Sequence, residues 1–204
     1  MIHQSLKDLY YLFFLPVSRG LLPFYRWHYR RFRAHLDRLH LGCGEHYLDG
    51  FVNLDGNFRR GVDYLCDVRA GLPFPSGRLR FIYSCHMLEH LHVDEACRVL
   101  AECRRVLHPE GRMRLTLPDF RHALAILQGG ATSSFPRGFV CAEGMAINFL
   151  FCDGQHKYAY GAESLRELAL QVGFSRVEVA ELHRSPEVGD FTEPVGSFSV
   201  HLYP

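Results

Sequence analysis

The chain has 204 residues, a formal net charge of +1 and 48% hydrophobic residues. This length suits one domain, and the apolar content is sufficient for one sizeable core. The sequence pI of about 7.7 gives no sign of the strongly basic face that nucleic-acid-binding proteins present. Nucleic acid is therefore not an expected partner, and the oligomeric state stays open.

Seven cysteines, an odd number, occur without a Cys-x-x-Cys spacing. A secreted disulfide framework needs paired cysteines, whereas buried thiols are typical of the reducing cytoplasm. Most of the seven lie in apolar runs, where a thiol packs as a small hydrophobic group. The sequence thus predicts a cytoplasmic location.

The first 36 residues differ from the rest of the chain, so we predict an N-terminal helical segment over 1–36 and one domain over 37–204. Residues 9–17 are strongly apolar, but this run is shorter than the roughly 20 residues that span a bilayer. No small-residue cleavage site follows it, so a signal peptide is not expected. Aromatic residues and arginines interleave over 24–33.

Three interpretations of this N-terminal segment are open. Its helices could cover the mouth of a ligand site as a lid. A helix could instead lie on the inner face of a membrane, with its apolar side chains inserted and its arginines towards anionic lipid. An RNA-binding arm is the third interpretation.

The run from His40 to Asp55 predicts a strand, a two-glycine turn, a second strand and a terminal carboxylate. Gly42 and Gly44 allow a sharp turn and a close approach of the backbone to a ligand. Asp55 ends the second strand at the edge where open α/β sheets bind ligands, and its carboxylate can accept both hydroxyls of a ribose.

Apolar runs and helical periodicities then alternate along the chain, which predicts an α/β protein with a doubly wound, Rossmann-like, mostly parallel sheet and an antiparallel edge strand. Pro109 and Gly111 are predicted to stop the first of these helices, and Gly173 to cap the second. The predicted strands cover residues 62–66, 79–83, 112–117, 177–182 and 197–203, and the helices cover 93–107 and 165–172.

The glycine turn departs from the dinucleotide-binding fingerprint. Tyr47 stands where the third glycine would be, and Asp55 follows Gly44 by eleven positions instead of about twenty. A pyrophosphate cradle is therefore disfavoured.

The turn resembles the first motif of the class I S-adenosylmethionine-dependent methyltransferases, in particular the small bacterial type 11-like group. Further motifs follow in that family's order: Asp67 with Leu72-Pro73-Phe74, Ser84 to His90 after the fourth strand, and Gly154 to Tyr160 before the last helix. The resemblance covers roughly residues 38–204. It implies S-adenosylmethionine as the cofactor.

The same resemblance implies a role for each matching residue. Asp55 would hold the ribose and Asp67 the adenine amino group. The residues implied to contact the cofactor are Leu41, Gly42, Gly44, Asp55, Asp67, Val68, Ser84 and His86. One departure concerns the connection between the first two strands, because a parallel crossover usually needs a dozen or more residues. That helix is either about one turn long or the tail of the cofactor is held differently.

Methyl transfer from a sulfonium is an in-line displacement that needs alignment, exclusion of water and, for an alcohol, a base. His86 at the exit of the fourth strand and His156 before the last helix are the first candidates for this base, and Asp119 after the fifth strand is the third. No bound metal is predicted.

Two other functions are weighed against methyl transfer. His86 to His90 fits the His-x-x-Glu-His pattern of inverted zinc peptidases, with Glu163 or Glu167 as the third ligand. That interpretation needs a helix through all five residues and leaves the glycine turn, Asp55 and Asp67 without a role. The second alternative is a cofactor-binding partner protein that has lost its chemistry.

The expected acceptor is a small molecule or a sugar hydroxyl. The Asn/Asp-Pro-Pro-Tyr signature of many nucleic-acid amino methyltransferases is absent after the fourth strand, since residues 84–87 contain no proline. Residues 129–152 are glycine-rich and then apolar, which is typical of an insertion that shapes an acceptor pocket. The choice between O- and N-methylation stays open.

Overall fold

The computed structural model describes residues 4–133, 139–182 and 185–204. In this part of the chain the helices are α1 (Gln4–His28), α2 (Val93–Val106), α3 (Phe120–Leu127), α4 (Ala142–Phe151) and α5 (Ala162–Val172). The strands are β1 (Arg38–Leu41), β2 (Val52–Asp55), β3 (Tyr64–Leu65), β4 (Leu79–Cys85), β5 (Leu107–Pro118), β6 (Arg176–Ala180) and β7 (Ser197–Tyr203).

The seven strands form one sheet in the order β3-β2-β1-β4-β5-β7-β6. All pairs from β3 to β5 are parallel, whereas β7 is antiparallel to both β5 and β6. The predicted fold class is confirmed. Strand order reverses between β1 and β4, and open α/β sheets bind their ligands at such a switch point.

Two of the predicted strands differ most from the structure in length. The third strand is reduced to Tyr64–Leu65, and β5 begins directly after α2 instead of at residue 112. The pairing jumps from Leu79 opposite Leu107 to Phe81 opposite Arg112. Residues 108–111 therefore form a bulge, and Pro109 and Gly111 lie in that irregular stretch and not in a separate turn.

The connection between β1 and β2 contains no helix, since residues 42–51 form only turns and bends. Asn53, fully buried in β2, organises this loop instead. Its Oδ1 accepts from the Leu48 amide at 3.0 Å, and its Nδ2 donates to the Leu48 carbonyl at 3.1 Å. This amide side chain thus supplies the backbone partners that a crossover helix would otherwise provide.

The main core lies between the sheet and the helices α2 and α5, which contribute Leu100, Cys103, Leu165 and Ala169 to it. Gly173 caps α5 in the left-handed region with φ of 105°, as predicted. A second, smaller cluster lines the β1, β4 and β5 region with Phe51, Phe81, Tyr83 and Val188.

A buried ion pair fixes the segment before β7 to the sheet. Arg114 on β5 and Glu193 are 0% and 1% exposed, and the guanidinium donates to both carboxylate oxygens at 2.8 Å. Thr116 adds a hydroxyl donor at 2.7 Å. Because both charges are removed from water, each depends on the other for its stabilisation.

Replacing Glu193 by Ala should lower the free energy of unfolding by about 3–5 kcal/mol, because Arg114 would stay buried without its counter-charge. Urea denaturation followed by circular dichroism measures this loss. Glu110→Ala is the control, since Glu110 pairs with Arg80 at 3.6 Å on the surface and should cost less than about 1 kcal/mol. Equal small losses in both variants would contradict the role of the buried pair.

Helix α1 packs one face on the sheet and leaves the other uncovered. Phe14, Ser18 and Leu22 are buried, four residues apart, and Tyr29 in the following π-helical turn is 1% exposed. Leu12, Phe13 and Trp27 on the opposite side are 67%, 68% and 56% exposed. Among the described residues, no helix has both the length and the apolar content that crossing a membrane requires.

Candidate active site

A cavity of about 670 Å³ opens at the carboxyl ends of β1, β2 and β4. This volume lies in the roughly 300–1,000 Å³ range of small-molecule sites. Six of the predicted cofactor residues line the cavity: Gly42, Gly44, Asp55, Asp67, Val68 and His86. The wall also contains Tyr11, Asn57, Arg69, Met87, His90, Glu95, Gln155 and Lys157.

The glycine turn is required by the approach of the neighbouring loop. Gly42 has φ of 72°, and a Cβ built there would overlap the Met87 side chain, with the Met87 Cβ only 2.7 Å away. Gly44 has φ of 54°, and its missing side chain would meet nothing within 4 Å. The first glycine thus lets two loops meet, and the second leaves the backbone open to a ligand.

The Asp55 carboxylate connects the glycine turn to the end of β2. Its Oδ2 accepts from the Gly44 amide at 2.8 Å, and its Oδ1 accepts from the backbone and side chain of Asn57 at 2.7 and 3.0 Å. A carboxylate has about four acceptor positions, so three are already used. A ribose diol bound in a bidentate manner would therefore replace at least one bond from Asn57.

Asp67 forms a bidentate ion pair with Arg69. The guanidinium donates to the carboxylate through Nε at 3.0 Å and through a terminal nitrogen at 2.7 Å. Arg69 also donates to Glu95 at 3.1 Å and lies 5.5 Å from the centre of the Tyr11 ring. The ion pair raises the pKa of Arg69 above its usual range. The adenine amino group implied for Asp67 would have to share this carboxylate with Arg69.

Helix α1 contributes directly to the wall on the β2 and β3 side. Tyr10 donates its hydroxyl to the Gly56 carbonyl at 2.9 Å, and a Cβ at Gly56 would lie 2.9 Å from the Tyr11 ring. The buried Ser18 hydroxyl accepts from the Asp67 amide at 3.0 Å. The N-terminal segment therefore covers part of the cavity, which favours the lid interpretation of its inner face.

A buried carboxylate lies behind the cavity at the exit of β4. Glu89 is 1% exposed, and neither of its side-chain oxygens has a hydrogen-bond partner among the described residues. His86 Nδ1 lies 3.6 Å and His156 Nε2 lies 3.9 Å from Glu89 Oε1. The two candidate bases are therefore brought to the same carboxylate, although seventy positions separate them in the sequence.

Burial sets the protonation of this group of side chains. It raises the pKa of Glu89 to about 8. It lowers the pKa of His86 to about 4, with the nearby rings of His156 and His90 adding to the shift, and it lowers the pKa of His156 as well. At neutral pH both imidazoles are uncharged and the carboxyl group is largely protonated.

Four of the predicted residues lie outside the cavity wall. Leu41 and Ser84 are fully buried in β1 and β4. Asp119 caps α3 by accepting from the Arg121 amide at 2.9 Å. His156, although close to Glu89, is 5% exposed and does not line the cavity either. Only His86 among the candidate bases does.

The segment His86 to His90 does not form the helix that the zinc-peptidase interpretation requires. His86 has φ of 52°, and only Leu88–His90 form a single 3-10 turn. Glu163 and Glu167 are exposed on α5. The i and i+4 histidines are thus not presented on one helical face, and this geometry disfavours a peptidase site.

The sequence interpretation missed Tyr11, Arg69 and Glu95 as parts of the wall. Arg69 follows Asp67 by two positions, which is a weak signal of an ion pair across a turn. Nothing in the sequence indicates that Tyr11 from the N-terminal helix reaches Arg69. These contacts join residues that are 26 to 58 positions apart.

A family model described as a methyltransferase domain matches residues 50–115. That stretch contains β2, β3, β4, α2 and most of β5, with Asp55, Asp67 and His86. The match covers about a third of the chain and supports the predicted resemblance to the class I S-adenosylmethionine-dependent methyltransferases, whose cofactor is S-adenosylmethionine. Among curated proteins, none matches this sequence.

Solved structures support the fold at low sequence identity. An S-adenosylmethionine-dependent methyltransferase from Archaeoglobus fulgidus is 16% identical with a TM-score of 0.51, over 96% of this chain and 100% of that one. A possible histamine N-methyltransferase from Thermotoga maritima is 16% identical with a TM-score of 0.53, over 91% and 97%. A Haloferax volcanii methyltransferase in complex with the Trm112 activator is 12% identical with a TM-score of 0.52, over 92% and 93%.

The cavity has features that fit this cofactor. The backbone of Gly44 is open where a side chain would project, the Asp55 carboxylate faces the cavity beside it, and Val68 lines the far wall. Asn57 and Arg69 supply polar groups that can exchange partners with an adenosine. The glycine, the acid and the adenine-side residue that the resemblance implies therefore line one cavity.

Asp55→Ala should weaken S-adenosylmethionine binding by about 1.5–3 kcal/mol, since it removes hydrogen bonds to a charged group. This corresponds to roughly a ten- to 150-fold higher Kd in calorimetric titration. The variant also frees the Gly44 amide, so the preorganised turn is lost together with the ribose contact.

Asp49→Ala is the matched control, because Asp49 is exposed in the same loop and does not line the cavity. It should bind like the parent protein. An Asp55→Ala protein that keeps the parent Kd would show that Asp55 does not hold the cofactor.

Proposed function

We propose that this protein transfers a methyl group from S-adenosylmethionine to a hydroxyl of a small molecule or a sugar-type acceptor. The observation that carries the proposal is the arrangement along one cavity: Gly44 and Asp55 at one end and His86 at the exit of β4. S-adenosylmethionine supplies an electrophilic methyl carbon on a sulfonium. The resemblance to the family does not specify the acceptor atom, so the oxygen acceptor is an additional part of the proposal.

In this mechanism the chain's own residues bind, orient and exclude water. Asp55 and the Gly44 amide hold the sugar end of the cofactor, while Tyr11 and Arg69 enclose the base end. Met87, packed against Gly42, fixes the distance between the loops after β1 and β4. Such alignment supplies most of what an in-line displacement requires.

His86 is the best-supported base. It lines the cavity, and the Ser197 hydroxyl contacts its Nε2 at 2.7 Å, which orients the ring. Nδ1 is directed to Glu89 Oε1 at 3.6 Å. His156 stays a second candidate because it approaches the same carboxylate, whereas the capping bond of Asp119 argues against a proton-transfer role for that residue.

The acceptor end of the cavity is polar. His90, Gln155 and Lys157 line it, and the lysine gives it a positive charge. The predicted insertion over residues 129–152 contains α4, which packs on α3 and precedes Gln155 and Lys157 in the chain. Residues 134–138 of this insertion lie outside the described residues. An acceptor with hydroxyls and an anionic group, such as a sugar nucleotide, suits these side chains.

The test is a screen of metabolite and sugar-nucleotide pools for transfer of a labelled methyl group from S-adenosylmethionine. A labelled, chemically stable ether product is expected. A protein that binds the cofactor in calorimetry but labels nothing in any pool would instead favour the non-catalytic partner protein. Labelling of an amine alone would overturn the hydroxyl acceptor.

With the acceptor in hand, a base role for His86 predicts a turnover that stays constant between about pH 6 and 8. The neutral imidazole is the active form, and a pKa of about 4 keeps it neutral throughout this range. His86→Ala should lower turnover by roughly a hundredfold or more without a comparable change in cofactor Kd.

His35→Ala is the control, because His35 is exposed after the π-helical turn and does not line the cavity. Full turnover in His86→Ala would exclude this residue as the base. A parent profile that rises through pH 6 to 7 would point to a base with an ordinary imidazole pKa.

We also propose the cytoplasm as the location and an anionic membrane surface as a peripheral partner. The seven cysteines all lie in the described residues and form no disulfide, which supports a reducing compartment. The outer face of α1 exposes Leu12, Phe13 and Trp27. Exposed arginines flank this face at positions 19, 26, 30 and 31, and apolar insertion next to basic residues suits anionic lipid.

Sedimentation with phosphatidylserine vesicles tests the membrane partner. The double variant Leu12→Ser, Phe13→Ser should reduce pelleting by roughly tenfold or more, since two large apolar side chains no longer insert. Cofactor affinity should stay unchanged, because neither residue faces the cavity. Equal pelleting of parent and variant, or none by the parent, would refute the contact.

A further inference from the structure

The side chains of Glu89, His90 and His156 form a cluster behind the acceptor end of the cavity. One ligand atom from each lies within 4.8 Å of the other two. These residues come from separate segments, the 3-10 turn after β4 and the loop before α5. Neither the glycine turn nor the cofactor wall accounts for their convergence.

The Glu89 carboxyl group is the most unusual part of this cluster. It is 1% exposed, and in the part of the chain that the structure describes both oxygens lack a hydrogen-bond partner. Burying a polar group without a partner is costly. The same oxygen faces two imidazole nitrogens at 3.6 and 3.9 Å, from His86 and His156.

These separations are longer than hydrogen bonds but close to the distance between two neighbouring ligand atoms around one metal ion. Two ligands at about 2.0–2.2 Å from a shared ion in tetrahedral geometry lie roughly 3.3–3.6 Å apart. A shift of about 1 Å would bring all three members of the cluster to that spacing.

The second nitrogen of each histidine in the cluster is held by a backbone carbonyl. His156 Nδ1 lies 2.8 Å from the Leu150 carbonyl, and His90 Nδ1 lies 3.2 Å from the Gln155 carbonyl. A carbonyl only accepts, so Nδ1 carries the proton and Nε2 has the lone pair. Metal-binding histidines are typically oriented in this way.

We propose that Glu89, His90 and His156 bind a divalent transition-metal ion, which in turn holds a hydroxyl oxygen of the acceptor beside the methyl group. One carboxylate and two imidazoles suit zinc, iron or cobalt, not calcium or magnesium. His90 lines the cavity and is exposed, so the ion would face the acceptor. Coordination makes a hydroxyl more acidic. The acceptor part of this inference rests on the proposed function, whereas the metal site does not.

Metal binding is tested on the full, untagged chain after treatment with a chelator. Titration with Zn²⁺ in a calorimeter should give one site per chain. Titration with Co²⁺ should give visible absorption bands of a site with nitrogen and oxygen ligands. The absence of a stoichiometric site for both ions would overturn the proposal.

Glu89→Gln and His90→Ala should each raise the Zn²⁺ Kd by roughly a hundredfold or more, above the 10- to 100-fold that loss of a supporting residue costs. Glu89→Gln keeps the buried volume, and the exposed His90 can be truncated without opening the core. His35→Ala should bind like the parent chain. A change of less than threefold in His90→Ala, with circular dichroism confirming the fold, would assign the ion to another surface histidine and refute the site.

Calorimetry with S-adenosylmethionine on the metal-free chain separates the two proposals. Cofactor binding without metal binding refutes only the metal site. Metal binding at the cluster without cofactor binding refutes the proposed methyl transfer and leaves the metal site standing. With both in place, added chelator should lower methyl transfer to the acceptor at least tenfold while the cofactor Kd stays the same.

Discussion

The reversal of strand order beside β1 is the constraint on which the site depends. Strands β2 and β3 are added on one side of β1, and β4 to β7 on the other. The loops leaving β1 and β4 therefore separate and open a crevice between them. They come close together where Met87 packs against Gly42, at a contact that a side chain at position 42 would destroy. The glycine turn and the loop after β4 are thus joined by a close approach.

The fold was largely predictable because its signals are local. Strand β7 is found over the predicted residues 197–203, and Gly173 caps α5 as its position indicates. The glycines and the acids at the strand ends that line the cavity were also predictable, because they too are local signals. The bulge over 108–111 was missed, since it depends on register with β4 and not on its own sequence.

The contacts of Glu89 with His86 and His156 could not be predicted, because they are long-range. Glu89 and His156 are 67 positions apart, and no local pattern indicates that one carboxylate will be buried between two imidazoles. The two faces of α1 are hidden in a similar way. Its apolar stretch predicts a helix, but only the packed structure distinguishes Tyr11, at the cavity, from Leu12, in solvent. Local rules fail here at the site itself, where proteins commonly break them.

The position of β7 has a consequence for synthesis on the ribosome. This strand follows all the others in the chain, yet it lies between β5 and β6. Until β7 is synthesised, the edge of β5 has no partner strand. Arg114 on β5 also lacks its counter-charge, because Glu193 lies in the segment just before β7. A nascent chain therefore carries an open, template-like edge and an uncompensated charge from the synthesis of β5 until β7 is made. The buried arginine would discourage that edge from pairing with another nascent chain in the meantime.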